Sequence, residues 1–415
     1  MEVSKQAAYK VYPYRWVVLG LYFLLNTAIQ IMWANFFSIT LAAGEYYGFA
    51  GEAAQTSAIS LFSIIFMLGV VIISVPSMAM FEKYGYRKSV SLGAILMGIG
   101  AIIRGIWGDN YTVVLIATII FAIAQPFIIN SMGLVAGKWF PVNERAIANS
   151  MGVLPTIIGM MIGMIVVPVQ LRNGIDIKAM LQIWGYITAG ICVVYVVFTR
   201  EAPPTPPCAE EESYRSPFGE GIKALFKKKN FVLCALSYTL LLGIFNAIFT
   251  LIEPILKFFG GENVTSVEVG LIGAIVLALG LVGGLIIPLL SDKSKGQKRL
   301  PYVLLGVAVA GAGLFLVLLS HSVVMLTLSI GLFGLFGIGA SPVMMTYSAE
   351  ACYPVSEGTS EGMMLLAGNI GGAILLGLAN LFGTNYFALQ LAFGGFVVAG
   401  FVIMLFAKEA KGKII

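Results

Sequence analysis

Apolar residues come along this chain in long blocks, not in the short alternating or every-third-and-fourth patterns of water-soluble strands and helices. Twelve blocks are near or above the roughly 20 residues that a helix needs to cross hydrocarbon. They run at about 15–43, 54–81, 89–107, 112–138, 145–171, 178–199, 231–259, 265–290, 300–319, 322–348, 357–382 and 386–407. In a bilayer every backbone polar group needs an internal partner, which leaves helices or a closed barrel. Barrel strands alternate apolar and polar over about 10 residues, and these blocks do not. The pattern predicts an all-α membrane protein with twelve transmembrane helices. Pro126, Pro155, Pro168, Pro254, Pro288 and Pro342 fall inside the blocks, where neighbouring helices can satisfy the groups a proline frees.

One long polar interruption, 200–230, holds prolines, an acidic run and the basic run Lys227, Lys228 and Lys229. It reads as a linker between two six-helix halves, 15–199 and 231–407, with tails at 1–14 and 408–415. Composition sharpens this picture. The chain is 59% hydrophobic and 11% charged, against about 25% charged in a soluble domain. A soluble globular protein, a nucleic-acid binder and a disordered chain are excluded. The one histidine, His321, and cysteines at 192, 208, 234 and 352 match no metal or disulfide spacing. No cofactor, metal or covalent chemistry is expected, so the chain is not read as an enzyme. The start, MEVSKQAAYK, lacks a cleavable signal pattern, and the first block is expected to be retained as a helix.

Charge matters here by position. With the N-terminus in the cytoplasm and alternating crossings, 21 of the 25 Lys and Arg residues fall on the cytoplasmic side. Arg104, Arg172, Lys178 and Lys257 are the four outside. This satisfies the positive-inside rule and predicts two cytoplasmic termini. Arg104, near the outer end of the third block, is expected to snorkel to the interface.

The two halves echo each other. FPVNER (Phe140 to Arg145) after the fourth block matches YPVSEG (Tyr353 to Gly358) after the tenth, 213 residues on. MFEKYGYRK (Met80 to Lys88) after the second block is echoed by LLSDKSKGQKR (Leu289 to Arg299) after the eighth. Parallel repeats of this kind, with a substrate site near the midplane, mark transporters. The acidic–Gly–basic loop resembles a hallmark of the major facilitator superfamily, and the resemblance implies a 6+6 pseudo-symmetric bundle. Glu82, Arg87, Arg145, Asp292 and Glu357 are candidates for a cytoplasmic latch. Simple topology and helix-end capping is the competing account of the first-half residues.

A narrower resemblance rests on RWVVL (Arg15 to Leu19), Tyr47-Gly48, AQPFI (Ala124 to Ile128) and EACYPVSEGTSEGMM (350–364). These stretches resemble the feline leukaemia virus subgroup C receptor (FLVCR) family, carriers linked to choline, ethanolamine and haem. The resemblance implies a cation site in which Trp33 and Gln125 stand at the family's tryptophan and glutamine. The family's tyrosine falls on Asn246, or on Phe245, and its second glutamine on Asn369.

The residues themselves support a site. Asn26, Gln30 and Trp33 recur at i, i+4 and i+7 and share a helical face, and lipid would penalise the amides. Indole faces recognise quaternary ammonium groups; packing between helices is the alternative use of Trp33. Gln125 beside Pro126 offers a neutral amide to a cation or hydroxyl, or packs the bundle. Glu253 is a candidate coupling residue, or the partner of Lys257 four residues on. The GNIGG glycines around Asn369 permit close helix approach. Several blocks lack a central carboxylate, which favours facilitated, potential-driven uptake over proton symport. The expectation is a monomeric, multi-pass carrier of the plasma or inner membrane. It would move a small choline- or ethanolamine-like cation by alternating access, with the lipid bilayer and cargo as its partners. The alternative is the same fold carrying a porphyrin or an organic anion, with proton coupling open.

Overall fold

Each apolar block folds as helix. The computed structural model describes residues 9–208, 223–261, 264–294, 298–353, 355 and 357–409, without the side chains of 142, 143, 146, 147, 150, 153 and 357. Most of the acidic linker run, the outermost tails and the Glu357 side chain therefore lie outside the described residues. The helices are α1 (Tyr14–Ala34), α2 (Thr40–Tyr46), α3 (Glu52–Ile106), α4 (Tyr111–Ile129), α5 (Met132–Trp139), α6 (Val142–Arg172), α7 (Ile177–Phe198) and α8 (Lys229–Thr250). They continue with α9 (Ile252–Gly260), α10 (Ser266–Lys293), α11 (Leu300–Leu318), α12 (Val323–Leu332), α13 (Gly339–Cys352), α14 (Glu357–Ala379) and α15 (Tyr386–Leu405). No strand occurs among the described residues.

Among the described residues, eleven stretches are long and apolar enough to cross a membrane. One of them, α3, is two helices joined at Gly85, whose φ of 83° and ψ of 173° are not helical. A glycine adopts that left-handed φ without a steric penalty, so α3 counts twice and the expected twelve spans are present. Side chains such as Ile72, Val193, Leu285, Val324 and Leu328 remain more than 60% exposed, as lipid-facing positions require.

Four blocks are not the continuous helices that their hydrophobicity predicts; the fourth block turns at Asn130 and Ser131 between α4 and α5. The first breaks after Ala34, passes through a 3-10 turn at Phe37–Ile39 and resumes as α2. The carbonyls freed at the break find side-chain donors: Thr40 Oγ1 donates to Phe36 O at 3.0 Å and to Phe37 O at 3.3 Å. The seventh breaks at Leu251 between α8 and α9, where Pro254 in the first turn of α9 has no N–H to leave unmet. The tenth passes through a π-helical turn, Phe333–Ile338, between α12 and α13.

By packing, the chain divides into two units. The first comprises Met1–Trp33, Ile72–Met160 and Ile175–Ser213. Its core includes Tyr22, Tyr86, Phe121, Phe140 and Tyr195, with Tyr195 Oη donating to Tyr86 Oη at 2.7 Å. The second comprises Ala34–Val71, Met161–Gly174 and Tyr214–Ile415. Its core gathers around α8, α14 and α15. Glycines let α8 and α14 touch backbone to backbone. A Cβ on Gly371 would lie 2.4 Å from Thr239 O, and one on Gly243 would lie 2.8 Å from Gly371 C. Lys408 O accepts from Asn230 Nδ2 at 3.0 Å and from Tyr347 Oη at 2.8 Å. Glu409 accepts from the N–H groups of Arg299 and Leu300 at the start of α11, capping that helix with a carboxylate.

Candidate substrate-binding site

In the first unit, Trp33 is the penultimate residue of α1 and is half-buried. The helix stops one residue later, which leaves carbonyls without the next turn's donors. Arg104 supplies one: its Nη1 donates to Met32 O at 3.0 Å. The guanidinium also stands 5.7 Å from the Phe121 ring centroid on α4, a cation–π distance. Arg104 is only 2% exposed. The snorkelling expected from the sequence is therefore replaced by burial, because a helix end inside the protein offers the cation a better partner than the interface.

Asn26 and Gln30 are buried on the same helix. Asn26 Nδ2 donates to Tyr22 Oη at 3.4 Å, to Gly152 O at 3.4 Å and to Thr156 Oγ1 at 3.3 Å. Gln30 Nε2 donates to Asn26 Oδ1 at 3.3 Å. These two amides line the contact of α1 with α6, where Gly159 admits the Gln30 side chain; a Cβ there would lie 2.6 Å from Gln30 Cβ. Gln125 is buried on α4, one turn beyond Phe121. The Oε1 atoms of Gln30 and Gln125 have no hydrogen-bond partner among the described residues.

In the second unit, Asn246 is buried one turn before the break in α8. Gly372 makes room for it: a Cβ there would meet Asn246 Nδ2 at 2.9 Å and Met67 Sδ at 2.5 Å. Phe245 packs against Phe249 with ring centroids 4.7 Å apart. Asn369 is half-buried and donates Nδ2 back to Leu365 O at 2.9 Å in its own helix. The flanking glycines permit close helix approach, as the sequence predicts.

Glu253 is fully buried at the start of α9. Oε1 accepts from Lys257 Nζ at 2.7 Å and from Ser266 Oγ at 2.9 Å; Oε2 accepts from Leu41 N–H at 2.8 Å. The expected pair with Lys257 is thus present. The carboxylate also ties α9 to α2 and α10, through partners that spacing within one helix could not reveal.

The latch candidates lie in or beside two charged clusters, of which sequence reasoning missed Glu201 and Glu350. Glu201, just after α7, accepts from Tyr86 N–H at 3.0 Å, from Arg87 N–H at 2.6 Å and from Lys138 Nζ. Burial pushes the Glu201 pKa up, but the donors from Lys138, Arg87 and Tyr86 outweigh it and hold the carboxyl below its ordinary value. Gly85 suits this junction: its φ of 83° is one that L side chains rarely adopt, and a Cβ would lie 2.8 Å from Glu201 Oε1. Arg145 donates to Phe140 O and Gly137 O, both at 3.3 Å, as a helix-end cap; Glu82 is exposed. In the second unit, Arg299 donates to Asp292 and, at 3.1 Å, to Glu350. The visible sequence signal was the acidic–Gly–basic loop itself; Glu201 and Glu350 lie far from it in the chain.

Discontinuous helices with buried amides and an indole at a break, in an apolar bundle, are the build of a secondary transporter. The chain belongs to the Major Facilitator Superfamily, whose family model matches residues 16–376. It is 29% identical over 386 residues to Solute carrier family 49 member A3 of Danio rerio, covering 89% of this chain and 79% of the relative. It is 28% identical over 383 residues to the Choline/ethanolamine transporter FLVCR2 of Homo sapiens, covering 88% and 71%. Among solved structures it is similar to a bacterial homolog of the human lysosomal transporter Spinster, inward-facing and occupied. That match has a TM-score of 0.73 at 15% identity and covers 95% of this chain and 97% of the other. The POT family transporter PepTSo matches with a TM-score of 0.73 at 11% identity, covering 95% and 98%. The protein is a multi-pass membrane transporter and not an enzyme.

Proposed function

We propose that this transporter moves a small organic cation of the choline or ethanolamine class by alternating access, facilitated and driven by the membrane potential. The observation that carries the reading is the half-buried indole of Trp33 at the break in α1, in a chain whose relatives include choline/ethanolamine transporters. An indole face attracts an ammonium group without a buried carboxylate. Gln30, Asn26 and Gln125 from the first unit, and Asn246, Phe245 and Asn369 from the second, are proposed to contact the cargo. Glu253, with three donors already bound to it, is proposed as an anchor of α9, with proton coupling as its alternative role. The latch role of Glu82, Arg87, Arg145, Asp292 and Glu357, cytoplasmic termini, a plasma-membrane location and a monomeric state belong to the same proposal.

The test is uptake of labelled choline and ethanolamine into proteoliposomes with and without an inside-negative potential. Uptake of either, stimulated by the potential, is expected; transport of an anion with neither amine moving overturns the reading. An organic-anion cargo is the second reading, favoured by the buried guanidinium of Arg104. Its signature is competition by organic anions that Arg104→Gln abolishes.

A further inference from the structure

Two buried side-chain amide oxygens of the first unit, Gln30 Oε1 and Gln125 Oε1, have no donor among the described residues. The orientation of Gln30 follows from a chain of bonds. Gly152 O is a backbone carbonyl and only accepts, so the Asn26 atom facing it is the amide nitrogen. Asn26 Oδ1 then accepts from Gln30 Nε2. That leaves Gln30 Oε1, 2% exposed as a residue, without a donor among the described residues. Gln125 Oε1, on a residue 6% exposed, is in the same position.

Arg104 relates the two. Its guanidinium joins Met32 O on α1 to the Phe121 ring on α4. The first and fourth spans cross the membrane in opposite senses. Residues before Met32 on α1 and after Phe121 on α4 therefore lie toward the same end. Gln30 precedes Met32 by about 3 Å of helix and Gln125 follows Phe121 by about 6 Å. Both residues stand on one side of the Arg104 contact along their helices, about a turn from it or less, and Gln30 is one turn from Trp33.

A buried acceptor without a donor is costly, and a donor that carries positive charge satisfies it best. A trimethylammonium group has no N–H. Choline brings a single hydroxyl donor to two acceptors, whereas ethanolamine brings three N–H donors and a hydroxyl. We propose that this transporter selects a primary-ammonium alcohol over its N-methylated homologues, with Gln30 Oε1 and Gln125 Oε1 accepting from the ammonium or hydroxyl of the cargo. The inference rests on the organic-cation reading and adds the substituent on nitrogen as the selected feature.

The test is a methylation ladder in proteoliposomes containing the full chain: ethanolamine, N-methylethanolamine, N,N-dimethylethanolamine and choline. KM is expected to rise at each methylation, with choline about ten- to a hundredfold weaker than ethanolamine, the size of one or two lost charged hydrogen bonds. Gln30→Leu and Gln125→Leu should raise KM for ethanolamine and leave choline's nearly unchanged, flattening the ladder. A structural role alone would move both substrates together. Gln125→Glu keeps an acceptor and should keep the ladder, which preserves the test if a leucine variant does not fold. Choline equal to or better than ethanolamine in the unsubstituted protein overturns the selectivity while leaving the cation reading intact. Transport of none of the four overturns both.

Discussion

At Trp33 the proposed role and a packing role separate cleanly. Trp33→Ala is expected to raise KM for the transported amine at least tenfold, the size of a desolvated cation–π contact of roughly 2 kcal/mol. Trp33→Phe should recover part of that loss, and uptake kinetics in proteoliposomes read both. Glu253 calls for a different measurement. Its carboxylate is fully buried and pairs with the Lys257 ammonium at 2.7 Å. Lys257→Met is therefore expected to destabilise the protein by about 3 kcal/mol, since it strands a buried charge. The double variant Lys257→Met/Glu253→Gln should recover much of the loss in a thermal unfolding series. Residues differ in how far their sequence context reveals them. Trp33 and Gln125 stand out as polar or aromatic groups in apolar runs. Arg104 stands out equally, yet near a block's end it reads as a snorkelling side chain. Its true partner, a carbonyl freed by a break elsewhere in the chain, leaves no mark in its own neighbourhood.

The elements repeat that lesson. Apolar length predicts each span, because hydrocarbon demands it, and all twelve are present once the Gly85 junction is counted. The breaks after Ala34 and at Leu251 are invisible to the same criterion, since hydrophobicity runs straight through them. They exist because Thr40 and Pro254 relieve the freed backbone groups. The glycines of α14 are legible as small residues, but which are indispensable is a matter of contact. Gly371→Val is expected to lower the thermal midpoint sharply in detergent, its side chain meeting Thr239 O. Gly377→Val in the same helix, with nothing within 4 Å of an added Cβ, should be close to neutral. At the Gly85 junction, the lowered pKa of Glu201 gives a pH signature. A carboxyl whose folded pKa lies below its unfolded value of about 4.3 stabilises the fold above that pH, and the gain is lost as pH falls through the folded pKa. The midpoint of Glu201→Gln should therefore lie below that of the unsubstituted protein at neutral pH, and the gap should close as pH falls through the lowered folded pKa.

For the whole molecule, the scarcity of charge has an energetic meaning. A monovalent cation carried without a coupled ion is worth about 2.3 kcal/mol per 100 mV, or roughly fiftyfold accumulation at equilibrium. Proteoliposomes clamped by a potassium gradient should approach that ratio for the transported amine and show no response to a proton gradient. Proton dependence would bring Glu253 forward as the coupling residue. The far end of the chain carries a practical corollary. The backbone at Lys408 and the carboxylate of Glu409 are stitched to Asn230, Tyr347 and the first turn of α11. A purification handle or fluorescent reporter joined beyond Glu409 leaves those stitches intact. One spliced in at Ala407 would unseat them, and loss of yield from such a fusion would report on the junction and not on the transporter itself.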